Sequence, residues 1–69
     1  MTRAEMKAAF PKGLRVKLTA EGLDTFGKWC ERQRGTVVGY GQRGDYIRVK
    51  VDERVTVSTY WPGFWEASR

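Results

Sequence analysis

Two hydrophobic rhythms divide the chain at Pro11. Before it, Met6, Ala9 and Phe10 recur at helical spacing behind Thr2-Arg3-Ala4-Glu5. That opening has the form of a capping box, in which a threonine caps the first turn and a glutamate three residues on returns the bond. The pattern predicts a short helix or arm over residues 1–11. Pro11 stops it, and Lys12-Gly13 reads as a turn. Isolated helices shorter than about 12 residues are marginal in water, so fraying is expected here.

After Pro11 the period becomes two. Leu14, Val16 and Leu18 alternate with Arg15, Lys17 and Thr19, the mark of a half-buried strand with a basic outer side. From Ala20 to Arg34 the alternation is lost. Leu23, Phe26, Trp29 and Cys30 fall on one side of a helical turn, so this stretch reads as a long excursion packed down by its own aromatics. Asp24 or Thr25 is the expected cap of that turn, and Gly27 weakens it. Gly35 to Tyr40 and Tyr46 to Val51 form a hairpin across Gln42-Arg43-Gly44-Asp45, with Gly39-Tyr40-Gly41 providing a bulge or tight strand end. Val55 to Tyr60 follows the turn Asp52-Glu53-Arg54, and after the break at Trp61-Pro62-Gly63 a last strand runs over Phe64-Trp65-Glu66. A sandwich needs more strands than this. A small five-stranded barrel over residues 12–69 closes its edges and suits the length.

Composition supports one thin core and nothing larger. With 69 residues the chain buries only about 60% of its unfolded surface. The single cysteine excludes an internal disulfide and the absence of histidine removes the usual zinc ligands, so packing must supply the stability. Three each of Trp, Tyr and Phe carry that load, and Phe64 is the expected core member of the last strand. No apolar run approaches the roughly 20 residues of a membrane span, and Met1–Phe10 lacks the apolar core of a secretory signal. A reduced, cytoplasmic location in a bacterial host cell is expected.

Catalysis finds little support. Without histidine the commonest acid–base group near neutrality is missing. Asp45, Asp52 and Glu53 sit beside basic residues in turns and read as solvated turn formers, while Cys30 beside Trp29 reads as a small buried hydrophobe. No enzyme, cofactor or metal is expected. A net charge of +5 points instead to polyanions or acidic protein surfaces. Alternation places Arg15 and Lys17 on one outer surface and Tyr46, Arg48 and Lys50 on another, with Arg43 at the hairpin tip. These cations, interleaved with aromatics, are candidate nucleic-acid contacts. Trp29, Tyr40, Tyr60, Trp61 and Trp65 are candidates for an exposed aromatic groove that would hold a protein partner.

The segments Gly13-Leu14-Arg15-Val16-Lys17-Leu18 and Arg34-Gly35-Thr36-Val37-Val38-Gly39-Tyr40 resemble the pattern of KOW-type SH3-like barrels of ribosomal proteins and transcription elongation factors, over about Lys12 to Val51. The whole chain, from Phe10-Pro11-Lys12-Gly13 to Tyr60-Trp61-Pro62-Gly63-Phe64-Trp65-Glu66, also resembles small bacteriophage and prophage proteins of unassigned activity. A third likeness is to the type II dihydrofolate reductases, tetrameric SH3-like barrels, in Gly13-Leu14-Arg15-Val16 and Val57-Ser58-Thr59-Tyr60. Their folate site has Val-Gln-Ile-Tyr and a first-strand lysine. Here Ser58, Thr59 and Leu18 stand at those places, which weighs against a reductase. Together these likenesses imply a compact SH3-like barrel, while the basic alternation on two strands makes nucleic acid or a nucleoprotein complex the leading partner and a protein partner on the aromatic groove the alternative.

Overall fold

The computed structural model of the chain describes residues 2–42 and 45–68. Its first helix, α1 (Arg3–Ala9), is capped as expected: the Thr2 hydroxyl accepts from the Glu5 amide at 3.1 Å. The helix does not stand alone, because Met6 and Phe10 are both buried in the core of the β-sheet. Docking gives the short helix what its length lacks.

Strand β1 (Arg15–Leu18) runs straight into helix α2 (Ala20–Phe26). Its cap is Thr19, whose hydroxyl accepts from the Gly22 amide at 3.1 Å and donates to the Gly63 carbonyl at 2.8 Å. Neither Asp24 nor Thr25 caps this turn; Thr25 donates instead to the Glu21 carbonyl within it. The helix starts earlier than the sequence suggested, because Thr19, the residue directly after the strand, serves as its cap. A 3-10 turn, Lys28–Cys30, follows and buries Cys30.

Strands β2 (Arg34–Tyr40), β3 (Ile47–Val51), β4 (Val57–Tyr60) and β5 (Trp65–Ala67) complete one antiparallel sheet in the order β4-β3-β2-β1-β5. The chain is mainly β, an SH3-like arrangement in which the last strand returns to pair with the first. Side chains bridge the two edge strands: the Tyr60 and Trp65 rings lie 5.2 Å apart, and Phe26 meets Tyr60 at 5.9 Å and Phe64 at 5.3 Å. Val16, Val37, Ile47, Val49 and Val51 fill the inner side with Met6, Leu18 and Trp65. Each such side chain contributes about 1.5–3 kcal/mol by leaving water.

Three expectations shift. Strand β4 begins at Val57, leaving Val55 94% exposed in the preceding turn. Residues Pro62–Phe64 wind into a 3-10 turn rather than merely interrupting a strand, so β5 starts at Trp65 and points it inward. Trp65, 3% exposed, is therefore the core residue rather than an exposed groove residue, though it forms part of the floor of the clefts on either side, while Phe64 is half-buried against Phe26. Finally, the register of β2 against β3 slips between Val37 and Gly39, the bulge anticipated at Gly39. It turns Tyr40 to the side of its partner Ile47, and the Tyr40 hydroxyl donates to the Phe10 carbonyl at 2.9 Å.

Candidate functional site

Register decides which outward side chains are neighbours. Arg15 pairs with Thr36, and Thr36 with Lys50, so a single cross-strand row links β1, β2 and β3. Lys17 pairs with Arg34 in the next row, and Arg48 faces Gly39 in the row on the other side. Arg15, Lys17, Arg48 and Lys50 therefore share one outer face rather than two, because β2 lies between the strands that carry them. Tyr46 is not among them; it precedes β3 and its ring stands 6.2 Å from that of Trp61. Arg43 lies outside the described residues.

The face is not uniformly positive. The Arg15 guanidinium spans β2 and grips Asp52 with two hydrogen bonds, of 2.7 and 2.5 Å, while its first nitrogen also donates to the Thr36 hydroxyl at 2.8 Å. Hydrogen bonding from Arg15 holds the Asp52 carboxyl below its ordinary value against partial dehydration, and the charges of Arg15 and Lys50 add to that pull. The same bond raises the already high value of Arg15. Asp52 is thus a structural partner and more than a solvated turn former. Lys17 lies 3.9 Å from Glu66 on β5. Among the described residues Arg48 and Lys50 form no ion pair, and neither does Arg34, whose guanidinium donates to the Glu31 and Gln33 carbonyls, so the side chains of the face with neither an ion pair nor a hydrogen bond are Arg48 and Lys50 on β3.

The other four candidate groove aromatics, Trp29, Tyr40, Tyr60 and Trp61, do not share a groove. Trp29 and Tyr60 line one cleft of about 300 Å³, together with Gln33, Arg54 and Ser58. Trp61 lines another of about 380 Å³ with Phe10, Asp45 and Pro62. Tyr40 belongs to neither; Lys7 lies over its ring at 5.3 Å. Both exposed tryptophans are seated on a glycine. A Cβ at Gly27 would fall 2.6 Å from Trp29 Nε1, and one at Gly63 would fall 2.7 Å from Trp61 Nε1. Trp29 is 75% exposed and Trp61 48%, so each indole offers its surface to solvent.

Gln33, Ser58 and Arg54 are cleft residues that strand periodicity did not single out. They come from a loop end, an inward strand position and a turn, brought together by the Asp52-to-Arg34 backbone bond at the ends of β2 and β3 and by the pairing of Ser58 with Val49 across β3 and β4. The Cys30 thiol is buried and donates to the Phe26 carbonyl at 3.7 Å. Among the described residues no cluster of three or more Cys, Asp or Glu side chains could hold a metal ion, and no helix is long and apolar enough to cross a membrane. No protein-family model, no curated protein and no solved structure matches the chain.

Proposed function

We propose that the chain is a non-enzymatic binding module whose ligand is nucleic acid, held by its phosphates on the outer face of β1, β2 and β3. The supporting observation is the row Arg15–Thr36–Lys50, which gathers cations from strands far apart in sequence onto one surface. Arg48 and Lys50 are the principal phosphate contacts, because Arg15 and Lys17 already share their charge with Asp52 and Glu66. Thr36 and Thr59, paired beside them, offer hydroxyls to the same backbone. The overall charge of +5 steers a polyanion toward the protein and this face gives it a place to settle.

Binding of labelled single- and double-stranded DNA and RNA, measured across a salt series, tests the reading. Affinity should fall linearly in log–log form with added salt, and replacing Arg48 and Lys50 together by alanine should reduce the slope by about 2. Absence of salt-sensitive binding at low ionic strength rejects it.

A protein-binding module is the second reading. It draws on the Trp61 corner, where two exposed aromatics, Trp61 and Tyr46, meet at 6.2 Å beside Asp45. Aromatic surface backed by a carboxylate suits a basic or proline-rich segment of a partner. A partner captured equally by wild type and Trp61→Ala would exclude this corner.

A further inference from the structure

The cleft beside Trp29 has the features of a base-stacking site, and we propose that the nucleic acid this protein binds is single-stranded, with one unstacked base lying on the Trp29 indole. The inference rests on the nucleic-acid reading above and gives it a substrate form.

Trp29 is the starting point. A chain with so thin a core gains by burying each tryptophan, yet this one is 75% exposed. Its position is built rather than incidental. Gly27 has φ +105°, a conformation that favours glycine, and its missing Cβ leaves the space the indole edge occupies. The indole edge lies over that gap while its outer surface stays open. Stacking on such a platform is independent of base identity, since every base has a π-face.

The surroundings fit a nucleotide. The cleft of about 300 Å³ is at the small end of ligand sites, suited to a planar ring more than to a folded segment of protein. Tyr60 supplies a second aromatic wall. Gln33, Ser58 and Arg54 line the same space, and among the described residues their side chains make no hydrogen bond to the protein, which leaves an amide, a hydroxyl and a guanidinium for a polar ligand. Trp65 also lines it, and its buried indole N–H has no acceptor among the described residues. Arg54 brings positive charge for a phosphate, which a purely apolar peptide groove would not need.

The cleft and the outer face meet at one rim. Gln33 lines the cleft and the next residue, Arg34, heads the outward row that contains Lys17. On the neighbouring strand the Asp52 amide donates to the Arg34 carbonyl, and Arg54 follows two residues later. A strand whose phosphates lie on Lys50 and Arg48 can turn over this rim and place a base in the cleft. A duplex cannot, because its bases stay stacked inside.

Fluorescence anisotropy with a labelled single strand, as DNA and as RNA, and with a hairpin duplex of the same sequence provides the test, using the full chain at low salt. Wild type should bind a single strand at least tenfold more tightly than the duplex. Trp29→Ala should lower single-strand affinity about 5- to 150-fold while leaving duplex affinity unchanged, and Trp29→Phe should recover most of the loss. Circular dichroism of the variants checks that the exposed position leaves the fold intact. Equal affinity for single strand and duplex, or a Trp29→Ala variant that binds a single strand as well as wild type, overturns the inference. If Arg48→Ala/Lys50→Ala abolishes binding in that case, the phosphate-contact reading survives. Absence of binding to every nucleic acid overturns both.

Discussion

Arg15 and Asp52, 37 positions apart, are joined by a two-pronged ion pair that crosses the outer side of β2. The pair ties the start of β1 to the end of β3 without any ladder between those strands, and it sits in the middle of the proposed phosphate-binding face. Asp52 therefore has two opposed effects. It orders the guanidinium, and it cancels one of the charges a polyanion would meet.

The first effect predicts a pH dependence of stability. Hydrogen bonding to Arg15 lowers the Asp52 carboxyl below its unfolded value, so the pair contributes fully above about pH 3.9. That contribution is lost as pH falls through the lower, folded-state value. Urea denaturation from about pH 7 to about pH 3 should show wild type losing stability in acid more steeply than Asp52→Asn. Parallel curves for the two proteins would show that the pair adds nothing.

Its second effect predicts the opposite sign for ligand binding. Asp52→Asn removes the carboxylate that holds Arg15 and releases that cation for a phosphate. The variant should bind nucleic acid more tightly at neutral pH, with a salt slope steeper by about 0.7 on a single strand, the value of one added phosphate contact. Anisotropy titrations at three or more salt concentrations measure this directly. A less stable variant that binds more tightly would separate the structural from the functional role of one side chain.

The α2 junction yields a packing prediction. A Cβ at Gly22 would fall 2.5 Å from the Phe64 carbonyl oxygen and 2.9 Å from Leu18 Cδ2. The first of these is backbone and cannot swing away. Gly22→Ala should therefore destabilise by about 1–3 kcal/mol despite the better helix propensity of alanine. Thermal unfolding followed by circular dichroism reads the effect, and a stabilised variant would mean that α2 can shift away from the Pro62–Phe64 turn.

Strict alternation made β1 and β3 legible, because Val16, Leu18, Ile47, Val49 and Val51 admit only one inward side. Where a turn consumed one more residue than expected, the reading inverted. The 3-10 turn at Pro62–Phe64 delays β5 by one position, and a one-residue shift exchanges the faces of Phe64 and Trp65. Tyr40 changed sides for a related reason, since the bulge at Gly39 was visible in the sequence but its effect on the next residue depends on pairing with β3. Cation types were readable along each strand, whereas their union into one face required knowing that β2 separates β1 from β3. Arg54 and Gln33 carry no periodic signal at all. Their meeting beside Trp29 is a product of tertiary structure.

A final prediction concerns the first helix. With seven residues α1 has no independent stability, and its place depends on Met6, which is fully buried, and on the Tyr40 hydroxyl that donates to the Phe10 carbonyl. Met6→Ala should cost about 2–5 kcal/mol, the range for deleting a buried side chain of this size. Tyr40→Phe should cost about 0.5–1.5 kcal/mol, the net value of one hydrogen bond. Denaturant titrations of both variants distinguish two pictures of the segment. Losses of this size with a single cooperative transition mean that the helix is part of the barrel's core. A Met6→Ala protein as stable as wild type would mean that residues 2–10 are an appendage, and that the sheet closes its inner side without them.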